Sequence, residues 1–212
     1  MWVTDKLSKI QEPTDARYVC NNTGGVELEV GEFLYGLVRM MKPERICETG
    51  THQGIASSYM AAALKENDFG HLDTIEWEGQ HLNTARERWA ELGLEKFITF
   101  YIENSLEFAA QHLYDIILLD TEPQIRFEEL LKFEKNLKDG GIVMIHDLGG
   151  GMCQVENKEL GFGWPFGKLP KEIIKLVKED RLRPFHFATP RGLTCFYRPR
   201  KEDFKFYEGK DD

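Results

Sequence analysis

Five short apolar runs, each followed by a stretch with different periodicity, divide the middle of this 212-residue chain into steps of about 25 residues. The runs are ERICET (44–49), HLDTIEW (71–77), FITFYI (97–102), YDIILLD (114–120) and GIVMIHD (141–147). Between them lie IASSYMAAALKE, then HLNTARERWAELG with Leu82, Ala85, Trp89 and Leu92 at helical spacing, then LEFAAQHL, and a helix near 127–137. Such alternation predicts repeated β-α-β units and a mostly parallel sheet. IILL and IVMI are apolar without alternation, the pattern of central strands covered on both faces. Ahead of them, GVELEVGEFLYGLVRMMK reads as a helix packed on the sheet. Near the end, RPFHFAT and GLTCFYR are joined by a short Pro-Arg-Gly link, which predicts an antiparallel hairpin. The expected fold is α/β and doubly wound. It has a mostly parallel seven-stranded sheet, helices on both faces and an antiparallel C-terminal edge hairpin.

The length fits one domain with short appendages. We expect a peripheral N-terminal segment (1–22), one domain (23–201) and a charged tail (202–212). Within the domain, 149–169 is rich in glycine and carries Phe162, Trp164 and Phe166. It is too long and aromatic for a passive connector, and a lid over an acceptor is expected there; the plainer alternative is an ordered cover for the sheet edge.

The net charge is −9, and Lys and Arg are scattered rather than gathered into a patch for phosphates. The densest cluster, KLPKEIIKLVK, spaces its lysines as a solvated helix face would. No nucleic-acid partner is expected. No apolar run approaches the roughly 20 residues of a membrane helix, and the first residues hold no signal-peptide core. Four cysteines stand far apart without a CxxC, Cys47 within an apolar run, as in a reduced cytoplasmic compartment.

In a doubly wound sheet, ligands bind beyond the carboxyl ends of the strands at the topological switch point. The residues that follow the five runs are polar and mostly acidic: Glu48-Thr-Gly-Thr-His-Gln-Gly54, Glu76-Trp77, Glu103-Asn104-Ser105, Asp120-Thr-Glu122 and His146-Asp147. Gly50 permits a tight turn and close approach of a ligand, and Gly54 close packing of the helix start. His52 stands where a dinucleotide loop needs its middle glycine, which favours an adenosine ligand without a pyrophosphate. Glu76, 26 positions after Gly50, can accept bonds from both hydroxyls of a ribose. Trp77 can lie against an adenine face, or simply cover a sheet edge. Asn104 and Ser105 can read adenine's polar edge, or serve only as turn formers.

These residues resemble class I S-adenosylmethionine-dependent methyltransferases, above all O-methyltransferases of the catechol and caffeoyl-CoA type and the cephalosporin-hydroxylase-like group. The resemblance runs from about Val26 to Gly151 and implies a Rossmann-like methyltransferase domain over 23–201. VGEFLYGLVRMMKPERICETGTHQG looks like the family helix and its E-x-G-T-x-x-G loop, placing Glu48, Gly50, Thr51 and Gly54 at the cofactor. Glu76 matches the ribose-binding acid, Asn104-Ser105 replaces the usual Asp-Ala pair, and YDIILLD and DGGIVMIHD match the strands carrying acidic site residues. What it implies is S-adenosylmethionine as cofactor and methyl transfer to a small-molecule hydroxyl, with a homodimer compatible with it. In the metal-dependent branch three groups hold a divalent ion; the matching positions here are Asp120, His146 and Asp147. The family's Asp-Asn pair has become His146-Asp147, so Mg²⁺, Mn²⁺, Ca²⁺ or a transition metal all remain open. The family's general-base lysine is Pro123 here. Deprotonation would then fall to the metal, to His146 or to another group such as His52; His146 and Asp120 are the expected catalytic residues, and Asp120 is also expected at the cofactor.

The plainer alternatives are a helix cap for Asp120 and a sheet-edge imidazole for His146. A metal-free or N-directed methyltransferase, a nicotinamide oxidoreductase and a non-catalytic cofactor-binding module are the competing readings. The oxidoreductase would usually need a Tyr-x-x-x-Lys pair, which the sequence lacks.

Overall fold

The computed structural model describes residues 10–11, 17–20, 25–148, 155–157, 162–164 and 170–204. In chain order the elements are β1 (Ile10–Gln11), β2 (Val19–Cys20), α1 (Leu28–Met41), β3 (Arg45–Thr49), α2 (Ile55–Asn67), β4 (His71–Glu76), α3 (Leu82–Leu92) and β5 (Ile98–Ile102). There follow β6 (Tyr114–Leu119), α4 (Arg126–Phe133), β7 (Leu137–His146), β8 (Val155–Asn157), β9 (Phe162–Trp164), α5 (Lys171–Lys178), β10 (Arg183–Phe187) and β11 (Leu193–Tyr197).

Seven strands form the main sheet in the order β10-β11-β7-β6-β3-β4-β5. From β3 the chain steps outward through β4 to β5, then returns to β6 on the other side and continues to β7. The switch point therefore lies between β3 and β6. β11 pairs antiparallel with both β7 and β10, so it alone is reversed, and β10 at the edge runs with the parallel strands. The expected hairpin is there, with its second strand inserted rather than at the rim. Two further antiparallel pairs, β1-β2 and β8-β9, stand apart from the sheet.

The continuous apolar runs have their expected cause. In β6, Ile116 and Leu118 join one core cluster with α1 and α2, whereas Ile117 and Leu119 join the other with α4 and α5. With both faces covered, successive side chains are all buried. On α1, Val30, Leu34, Leu37 and Val38 are buried at helical spacing. The lysine-rich α5 buries only Ile173 and Leu176 and turns its lysines to solvent, as anticipated. Cys47 and Cys195 are buried free thiols.

Two local readings change. LEFAAQHL does not form a helix: the Asn104 side chain accepts from Leu106 N–H, one turn forms over 104–108, and the chain then runs irregularly to β6. Lys132 Nζ, donating to the carbonyls of Ser105 and Phe108, satisfies the backbone a helix would have satisfied itself. β7 starts earlier than expected, passing through Gly140 and Gly141, with a register shift against β6 between Tyr114 and Ile116. Of the lid segment only β8 and β9 are described, so that expectation lies outside the described residues, as do most of 1–22 and 202–212. Among the described residues no helix is long and apolar enough to cross a membrane.

Candidate active site

The carboxyl ends of β3 to β7 converge on one cavity of about 610 Å³. All five expected strand ends contribute to its wall: Gly50, Glu76, Asn104 with Ser105, Asp120, and Asp147. At the switch point the two diverging chains lock together. Asp120 N–H donates to Thr49 O at 2.9 Å and Gly50 N–H to Ile75 O at 2.9 Å. Gly50 has φ +82°, and a Cβ there would lie 2.3 Å from the Asp120 carbonyl oxygen. No side chain fits between these backbones, so the floor of the cavity is bare main chain.

Glu76 ends β4 at the cavity wall. Its carboxylate accepts His52 N–H at 2.7 Å and Trp77 N–H at 2.9 Å, which fixes its orientation from two sides. His52 carries this bond from a left-handed backbone (φ 46°), and its ring packs against His81 with centroids 4.2 Å apart. Burial, followed by the neighbouring His81, holds the His52 imidazole below its ordinary pKa. Trp77 is 68% exposed at the same wall, an indole face open to a ligand.

Three loop residues expected at the cofactor lie elsewhere. Glu48 is buried beneath the loop and accepts from Thr74 Oγ1, which also meets Thr51 Oγ1 at 2.6 Å. Burial, added to the charges of Asp120 and Glu76, pushes its carboxyl up to about 8, so near neutrality it is largely the acid. Thr51 lines only a narrow recess beside the main cavity, together with Val26. Gly54 gives room to α3 rather than to β3 or a ligand: a Cβ there would meet Trp89 Nε1 at 2.9 Å.

The ends of β6 and β7 do meet, as the strand spacing requires. One ligand atom each from Asp120, His146 and Asp147 lie within 4.8 Å of one another. His146 Nδ1 stands 3.1 Å from Asp120 Oδ1 and 3.4 Å from Asp147 Oδ1. Three residues absent from the sequence reading complete the group. Glu27, just before α1, is buried and takes His146 Nε2 at 2.6 Å. Arg126, opening α4, reaches Asp120 at 3.3 Å and Asp147 at 3.4 Å. Arg191, in the β10-β11 turn, donates through Nη2 to Asp147 Oδ2 at 2.9 Å, and its Nε lies 2.6 Å from Oδ1, a buried oxygen without a hydrogen-bond partner.

His146 is fully buried, outside the cavity wall, with both ring nitrogens directed at carboxylates. Burial alone would lower its pKa, but the charges of Asp120 and Asp147 and the bonds to Asp120 and Glu27 drive it up to about 10. A cationic imidazole with no access to the cavity cannot take a proton from an acceptor. His146 thus lies behind Asp120 and Asp147 and does not line the cavity. The donor set does not fit a resident divalent cation either. Arg126 already pairs with Asp120 Oδ1 and Asp147 Oδ2, and Arg191 with Asp147, so an ion placed among these carboxylates would have to share them with two guanidinium groups.

Residues 47–148 match a family model described as a methyltransferase domain. A relative from Mycobacterium sp. (strain KMS), named "Putative O-methyltransferase", is 26% identical over 186 residues, covering 84% of this chain and 80% of that one. Among solved structures, the O-methyltransferase TomG from Streptomyces achromogenes in complex with SAM shares the fold at TM-score 0.66 and 20% identity, covering 83% of this chain and 82% of that one. The O-methyltransferase from Bacillus cereus in complex with SAH superposes at TM-score 0.63 and 17% identity, covering 84% of both chains.

Proposed function

Because this chain is a methyltransferase with the class I fold, we propose that it binds S-adenosylmethionine in the cavity and methylates a hydroxyl of a small-molecule acceptor. The observation that carries this reading is the Glu76 carboxylate, fixed by two backbone N–H groups beside a floor that only glycine can form. Glu76 would accept from the ribose hydroxyls, Trp77 would cover an adenine face, and Asn104 with Ser105 would meet its polar edge. When bound, the cofactor supplies an electrophilic methyl group on a sulfonium. The chain's own task is then alignment of the acceptor oxygen with that methyl group and exclusion of water.

Electrostatics favour a cationic cofactor. Glu76, Glu78, Glu103, Asp120, Glu122 and Asp147 outnumber the two arginines on the wall. The cavity volume falls within the range typical of small-molecule sites. The relatives named as O-methyltransferases, and the fold neighbours holding SAM or SAH, support the same reading. The functional unit extends beyond 47–148 towards the expected 23–201, because Glu27 and Arg191 belong to the charge cluster at the cavity.

Calorimetry with S-adenosylmethionine tests it. Glu76→Ala removes a charge-assisted pair worth about 2–4 kcal/mol, so affinity should fall roughly 30- to 1000-fold. Unchanged binding in that variant would remove the assignment. Product formation from methyl-labelled cofactor across a panel of hydroxyl acceptors would then identify the acceptor.

A further inference from the structure

We propose that the positive charge at the ends of β6 and β7 is built into the chain as Arg126 and Arg191, so that this place binds no divalent cation and methyl transfer needs none. The proposal rests on the methyltransferase reading only for its catalytic half. Its structural half stands on the way the two guanidinium groups are held.

Arg126 is locked from behind. Its side chain is 3% exposed, and Nε donates to Thr121 O at 2.8 Å. Nη1 donates to His146 O, at the end of β7. Nη2 also donates to Thr121 O and faces Asp120 and Asp147 together, at 3.3 and 3.4 Å. It therefore bridges the two strand-end carboxylates, at Asp120 Oδ1 and Asp147 Oδ2. The guanidinium cannot leave without stranding buried backbone carbonyls, and it cannot shed its proton.

Arg191 closes the outer side. It forms an ion pair with Asp147, hydrogen-bonded through Nη2, and donates through Nη1 to Gly25 O, which ties the β10-β11 hairpin to the chain before α1. Two permanent cations thus stand beside Asp120 and Asp147, in addition to His146. A dication placed among them would meet both guanidinium groups at close range. An acceptor reaching this wall meets the Asp147–Arg191 pair in place of an open coordination position. It therefore gains nothing from a second, chelating oxygen.

The purified full chain, stripped with chelator, should be titrated with Mn²⁺, and separately with Zn²⁺, by calorimetry and by the electron paramagnetic resonance of free Mn²⁺. Melting should be followed with and without each ion. We expect no saturable site below millimolar concentration and no change in melting on adding ion or EDTA. Arg191→Ala uncovers Asp147, and Mn²⁺ binding should then tighten at least tenfold and raise the melting temperature of the variant. One Mn²⁺ or Zn²⁺ held by the wild type at micromolar concentration and lost in Asp120→Asn would overturn the proposal. So would a folded Arg191→Ala that gains no ion. If that variant does not fold, the wild-type titration decides alone. Cofactor binding is measured in parallel. Its absence would sink the methyltransferase reading and leave the ion result standing. With an acceptor in hand, turnover halted by EDTA would refute the catalytic half.

Discussion

Replacing Gly50 by alanine adds one methyl group where the backbones of two diverging strands touch. The added Cβ would lie 2.3 Å from the Asp120 carbonyl oxygen, 2.6 Å from its carbon and 2.8 Å from Thr121 N. All three are main-chain atoms, so no rotamer change relieves the overlap. A left-handed backbone costs a non-glycine residue about 1–2 kcal/mol before any contact is counted. Relief requires the strand ends to part, which weakens Asp120 N–H to Thr49 O and Gly50 N–H to Ile75 O, each worth about 1 kcal/mol. The sum is about 2–4 kcal/mol. For a domain of this size it lowers the melting temperature by about 5–15 °C. Calorimetric unfolding measures that, and cofactor titration should show at least a tenfold loss. Gly36→Ala is the control. No atom lies within 4 Å of a Cβ at this exposed position in α1, and a helical Gly→Ala change stabilises by about 0.5–1 kcal/mol. Opposite signs for the two variants are expected. A Gly50→Ala protein melting within about 1 °C of wild type would show that the floor of the cavity is not built as described.

His146→Gln should cost about 3–5 kcal/mol, because it leaves the buried Glu27 carboxylate without its cationic partner. Urea unfolding measures this; an equally stable variant that has lost only turnover would restore His146 as the base. Glu48 is the acid whose pKa rises on folding, from an ordinary 4.5 to about 8. Its contribution is fully present below pH 4.5 and is lost as pH rises through 8, at up to about 1.4 kcal/mol per pH unit. Glu48→Gln should therefore flatten the stability profile between pH 5 and 8, and parallel profiles for the two proteins would contradict the buried, protonated state.

The strands, their mostly parallel pairing and the polar edge above them were legible because each shows in runs of neighbouring residues. IILL and IVMI report burial on two faces by themselves, and a strand end is read from the residue after the apolar run. The charge cluster was not legible. His146 meets Glu27 across 119 positions, and Arg191 meets Asp147 across 44. Read locally, Arg191 is only the middle of a Pro-Arg-Gly turn and Arg126 the first residue of an amphipathic helix. Nothing in periodicity says that either turns towards a strand end. Asp120, His146 and Asp147 were rightly grouped by strand spacing, yet a ligand-type triplet looks the same in sequence whether an ion or a guanidinium lies among its oxygens. LEFAAQHL failed for a similar reason, since Lys132 on α4 supplies its backbone with partners that sequence cannot announce.

The inserted β11 has a consequence for the order in which a growing chain can complete itself. β10 is synthesised first, yet its sole neighbour in the main sheet is β11, so it must wait for the residues that follow it. Until then β7 presents Ile142, Val143, Met144 and Ile145 along an open edge whose amide groups are unpaired, an invitation to intermolecular pairing. The same late segment delivers Arg191 to Asp147 and to Gly25. A nascent or truncated chain ending before about residue 193 would therefore carry an open sheet and an uncompensated carboxylate at once. Such fragments should collect in inclusion bodies rather than persist as weakened enzymes.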